Sequence, residues 1–149
     1  MTSRRPPLAA LLGLGGLIPF IACGVIAVTG GHDASLRGTM ALLAYGAVIL
    51  SFLGAVHWGL ALAEPGAGNR ARLAGGVVPA LVGWLALLVV MFGLIELALV
   101  MLIVGFAGTM MVEAAAGRRG RLPIGYVRLR WVLTTVVVLV LVCVLAFIV

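Results

Sequence analysis

Lysine is absent from the chain, and charge of either sign is scarce. Charged residues make up 9% of the 149 positions, the ten basic ones are all arginine, and the acids are Asp33, Glu64, Glu96 and Glu113. Soluble domains carry about 25% charged residues, so this chain cannot cover a water-facing surface, and a soluble globular protein is excluded. Disorder is excluded for the opposite reason: it requires low hydrophobicity, whereas 64% of these residues are hydrophobic and the mean hydropathy is +1.33. Catalytic signatures are also missing. There is no GxSxG, no HExxH, no P-loop and no pair of intramembrane carboxylates. Gly13-x-Gly15-Gly16 opens an apolar run instead of following a strand, so it is not a dinucleotide fingerprint. Cys23 and Cys143 stand alone inside apolar runs, form no CxxC pair and indicate no redox compartment. The sequence therefore predicts an integral membrane protein with no catalytic residues, no metal site and no cofactor. The formal charge of +6 does not point to nucleic acid, because no arginine lies on a soluble face among aromatics. A basic excess in a membrane chain reflects orientation and anionic headgroups.

What is present is a series of long apolar runs. A bilayer core takes about 20 apolar residues per helix. The first run covers 8–29 and the second 39–63, separated by a polar connection with His32, Asp33 and Arg37. A third apolar stretch persists from Leu73 to Ala116. As one helix it would be about 66 Å long, twice what a membrane holds. It must fold back, and Gly93 is the natural break because glycine is a permissive helix stop. Glu96, three residues later, suits the positive end of a new helix and would be costly at the bilayer centre. The pattern predicts an all-α membrane bundle in a single transmembrane domain, residues 1–149, with five spans at about 8–29, 39–63, 73–92, 94–115 and 131–149.

Placing the N-terminus inside puts nine of the ten arginines on the cytoplasmic side, leaving only Arg37 outside. The expectation is a multi-pass inner-membrane protein, N-terminus cytoplasmic and C-terminus outside. Ser3-Arg4-Arg5 before an apolar run has the look of a secretory or twin-arginine signal. The run is longer than the usual signal core of about 7–15 residues, and no polar mature domain follows a small-x-small site. Phe20-Ile21-Ala22-Cys23 likewise lacks the polar stretch that follows a lipoprotein cysteine. A retained first span is the expected outcome.

Span two is small along one strip: Ala47, Ser51, Ala55, Gly59 and Ala63 recur every fourth residue. In lipid, close backbone approach through small side chains brings helices together, so this helix is predicted to pack at the centre of the bundle. His57 is the one ionisable side chain well inside a span, about 9 Å from its cytoplasmic end. It is either a hydrogen-bonded strut beside the interfacial Trp58 or a group for ligand or proton chemistry. A ligand pocket would draw on His57, Ser51, Trp58, Trp84 and Tyr45, near the intraspan prolines Pro19 and Pro79. Tyr45 is the weak member, because it points more than about 90° from His57 on a helical wheel. The stretch from Gly117 to Trp131 holds Arg118, Arg119, Arg121, Arg128 and Arg130, expected to lie at anionic headgroups on the cytoplasmic face. Glu113 is expected to be neutralised by Arg118. Span five is nearly uniform aliphatic, which suits a lipid-facing peripheral helix, and Cys23 and Cys143 lie at similar depths if spans one and five touch.

The segments LIPF (Leu17 to Phe20), AYGAVILSFLGAVHWG (Ala44 to Gly59), VPALVGW (Val78 to Trp84) and YVRLRWVLT (Tyr126 to Thr134) resemble the transmembrane protein 69 family, small proteins of bacterial membranes and mitochondria. The span-two block is the specific part. That family usually has a serine after the span-three proline and an aromatic before the tyrosine; here Ala80 and Gly125 stand there. The resemblance implies a multi-span inner-membrane protein and no mechanism. Two functions fit the residues. One is a non-enzymatic accessory, assembly or scaffold protein, working with a membrane-protein partner or as a homo-oligomer. The alternative is a binder or carrier of a small apolar or proton-linked ligand, such as a quinone or lipid, that uses His57.

Overall fold

The computed structural model describes residues 7–63, 69–120, 122 and 124–148. They form six helices: α1 (Pro7–Gly15), α2 (Leu17–Thr29), α3 (His32–Ala63), α4 (Asn69–Val90), α5 (Ile95–Arg118) and α6 (Ile124–Ile148). Five stretches are long and apolar enough to cross a membrane, the first running through α1 and α2 from Ala10 to Thr29. The break inside that first span has a local cause. Pro19 has no N–H to return to the Gly15 carbonyl, so the helix restarts at Leu17, with Pro19 in a first turn where a missing N–H is tolerated.

The helix ends depart from the hydropathy boundaries at the starts of α3, α4 and α6, α4 beginning at Asn69 instead of Leu73. His32, Asp33 and Arg37, expected in a connection, belong to the first turns of α3. Asp33 complements the helix dipole there, and the Ser35 hydroxyl donates to the Ala27 carbonyl at 2.5 Å, which ties α3 back to α2. Likewise α6 starts at Ile124, so Arg128 and Arg130 are helical. Between α4 and α5 the chain reverses at Met91–Gly93, with Gly93 at φ +78°, a left-handed conformation that favours glycine, and Glu96 in the first turn of α5.

Each helix packs on its neighbours in the chain, α6 closes the ring against α2, and α3 also reaches α5 across it. α3 thus touches α2, α4 and α5, the central position expected of span two. α6 keeps the peripheral position expected of it, touching α5, α2 and α1 with 22% of its span buried, and turns one seam inward. Its residues Arg130, Thr134, Val137, Leu141 and Val144 are buried at steps of four and three, the spacing of a packing seam. α5 presents the matching seam of Leu99, Leu102, Phe106, Thr109 and Glu113.

The strip that packs α3 also differs from the one expected. Ala47 and Gly54 of α3 face Gly83 and Gly76 of α4. A Cβ at Gly83 would stand 2.9 Å from the Ala47 carbonyl oxygen, and one at Gly54 would collide with the carbonyl of Gly76. Ala55 and Gly59 are exposed, with nothing near a Cβ at Gly59. The reason is angular. Four residues turn a helix about 40° past a full circle, so a strip at that spacing leaves the interface, whereas seven residues drift by only about 20°.

Candidate functional site

Chain alternation places the α3–α4 and α5–α6 connections and the start of α1 at one end of the bundle. At that end Glu113 of α5 and Arg130 of α6 meet inside the protein. Arg130 Nε donates to Glu113 Oε2 at 2.7 Å, with the two residues 7% and 1% exposed. The Tyr126 hydroxyl donates to the other carboxylate oxygen, Oε1, over a long 3.4 Å. Two predictions are corrected here. Arg130 does not reach the headgroups, because it lies on the inward seam of α6. Arg130, not Arg118, neutralises Glu113: Arg118 is five residues on, about 140° round the helix, and exposed. Arg118, Arg119 and Arg128 are exposed, and Arg121 lies outside the described residues.

Arg130 and Thr134 also line a cavity of about 420 Å³ enclosed by α1, α2, α3, α5 and α6. Its walls are apolar, built from Leu17, Ile49, Leu53, Phe106, Leu133 and Val137 among others. Leu12 of α1 and Phe52 of α3 line it too and are 69% and 65% exposed, which marks where it opens. Both belong to stretches long and apolar enough to cross a membrane. At the opposite extreme of polarity, Arg130 Nη2 and Thr134 Oγ1 are buried without a hydrogen-bond partner. Buried polar groups are nearly always partnered, and an orphan pair on two residues that line one cavity needs an explanation.

The residues predicted for a pocket do not converge. Trp84 is 58% exposed on α4. The Ser51 hydroxyl donates to Ala47 on its own helix at 2.8 Å, and Trp58 Nε1 donates to the Leu73 carbonyl at 2.9 Å, bracing α3 to α4. His57 is half-buried near the end of α3 and is not among the residues lining the cavity. Tyr45 comes closest. Its hydroxyl donates to the Gly16 carbonyl at 3.1 Å, and its ring meets Phe20 edge-on at 5.0 Å, so it backs the cavity wall. The signal for the missed residues was register: Glu113 and Arg130 fall on the apolar seams of their helices, where a charged side chain must find a partner. Cys23 and Cys143 are both free thiols, although α2 and α6 touch.

Residues 5–146 match a family described as "Protein of unknown function (DUF3429)". Transmembrane protein 69 of Xenopus tropicalis is 46% identical over 86 residues, which is 56% of this chain and 33% of that protein. Transmembrane protein 69 of Mus musculus is 38% identical over 86 residues, 56% of this chain and 34% of its own length. The match thus spans about a third of these curated relatives. No solved structure matches.

Proposed function

This chain belongs to the DUF3429 family and is similar to transmembrane protein 69, and on that premise we propose that it is a non-catalytic binder of small amphipathic molecules taken from the bilayer. One observation carries the reading: an apolar cavity that opens beside Leu12 and Phe52, on stretches long and apolar enough to cross a membrane, and is lined by Arg130 and Thr134, whose Nη2 and Oγ1 are buried without partners. Its size falls in the range of small-molecule sites, about 300–1,000 Å³, where apolar walls supply affinity and a few polar groups fix orientation. The polar contacts expected of His57 pass to Arg130 and Thr134. The arginine-bearing end faces the cytoplasm of an inner membrane, with Arg118, Arg119 and Arg128 among anionic headgroups.

An accessory or assembly role is the second reading, favoured by the small residues Ala55 and Gly59 left exposed on α3, where another membrane helix or a second copy could approach closely. Native mass spectrometry of protein gently extracted from its own membranes separates the two. A discrete small-molecule adduct, depleted in Thr134→Val, supports the binder. A stable protein partner with no such adduct replaces it with the accessory role.

A further inference from the structure

The polar end of the cavity restricts the chemistry of what can bind, an argument that rests on the binder reading above. We infer that the ligand is a flat ring bearing a neutral hydrogen-bond acceptor, of the quinone class, attached to an apolar tail. Charge comes first. Glu113 already neutralises Arg130 at 2.7 Å, so a carboxylate head would bury a net negative charge in an apolar enclosure, where uncompensated charge is strongly disfavoured. Donor count comes next. A guanidinium offers only donors, while the threonine hydroxyl gives or accepts. A protonated amine head would leave Arg130 Nη2 as unsatisfied as it is now, and a phenolic hydroxyl is a weaker acceptor than a carbonyl, whose two lone pairs can take one bond each from Arg130 and Thr134.

Size and shape narrow the class further. Arg130 and Thr134 are almost wholly enclosed, at 7% and 5% exposure, so a single slim oxygen suits them and a phosphodiester does not. The chain has only ten aromatic side chains, yet Phe20, Phe52, Phe106 and Tyr126 all line this one cavity. Phe20 and Phe106 meet edge-on at 5.9 Å. Aromatic walls favour stacked or edge-on contact with a planar ring over an aliphatic ketone or ester. Glu113 takes the Nε–H of the guanidinium, and Nη2 is left without a partner.

The test places the full chain in lipid nanodiscs with equal mole fractions of decylubiquinone, its reduced quinol or decanoate, and measures retained probe by native mass spectrometry. Retention of the quinone at least about tenfold above decanoate is expected, with the quinol between them. Thr134→Val removes one donor and keeps the shape, so quinone retention should fall about tenfold, the scale of one lost hydrogen bond. Leu12→Trp, at an exposed position on the opening, should block entry with the fold intact. Equal or better retention of decanoate overturns the neutral-acceptor inference and leaves the binder reading standing. Quinone retained equally by wild type, Thr134→Val and Leu12→Trp overturns the assignment to this cavity. A folded protein that retains none of the three probes overturns both.

Discussion

Glu113 and Arg130 hold one another in place because neither can be hydrated where it sits. Breaking a buried pair from one side leaves an uncompensated charge and costs about 3–5 kcal/mol, whereas replacing both partners with apolar residues of similar volume is often neutral or stabilising. Glu113→Ala should therefore lower unfolding free energy by about 3–5 kcal/mol in mixed-micelle denaturation. Glu113→Leu combined with Arg130→Met should recover most of that loss. Recovery marks a pair kept for a purpose other than stability. His57→Ala makes the opposite forecast: the ring does not line the cavity, so probe retention in nanodiscs should stay within about twofold, less than the loss of a single hydrogen bond. A tenfold loss would put the binding chemistry back on His57. The sequence made His57 conspicuous because it is an isolated ionisable group in an apolar run. It concealed Arg130 among loop arginines, since burial of one arginine out of five is decided by helix register, not by composition.

At the scale of the helices, α3 and α4 approach through Ala47 against Gly83 and Gly54 against Gly76, with backbone where side chains would otherwise stand. Methyl groups have nowhere to go between two carbonyl-bearing surfaces, and overpacking of this kind costs about 1–3 kcal/mol. Gly54→Ala should lose that much stability, while Gly59→Ala, on an open surface, should change it by less than about 0.5 kcal/mol. Comparing the two variants by the same denaturation measures which strip holds the helices together. Equal effects would mean that Gly59 is covered by another chain. The sequence displayed several small residues on α3 and could not rank the strips, because the choice depends on where Gly76 and Gly83 of a different helix arrive. A similar dependence hid the Tyr45 bond to the Gly16 carbonyl, at the junction of α1 and α2. Tyr45→Phe should cost about 1 kcal/mol, the net worth of one such bond, read in the same titration.

For the whole molecule, the number of crossings was the most legible property, since it follows from run length against bilayer thickness and needs no knowledge of contacts. The cavity was the least legible, because five helices contribute to it and none shows it alone. Orientation stands between these extremes. The three spans α3, α4 and α5 put Asp33 and Arg119 on opposite sides, and the arginine bias is the argument for one of the two inverted arrangements. The choice bears on function, because Arg130 and Thr134 lie toward the arginine-bearing end, so the polar end of the cavity faces whichever compartment that end faces. Single cysteines introduced at Asp33 and Arg119 in a background with Cys23 and Cys143 replaced by alanine read it directly; both positions are exposed, at opposite ends of the bundle. A membrane-impermeant maleimide added to intact cells should label Asp33→Cys and spare Arg119→Cys, and inverted vesicles should reverse the pattern. The reverse labelling would place the polar end of the cavity outside and remove the positive-inside argument for this chain. Labelling of both from one side would mean an even number of crossings between them and would overturn the three crossings assigned to α3, α4 and α5.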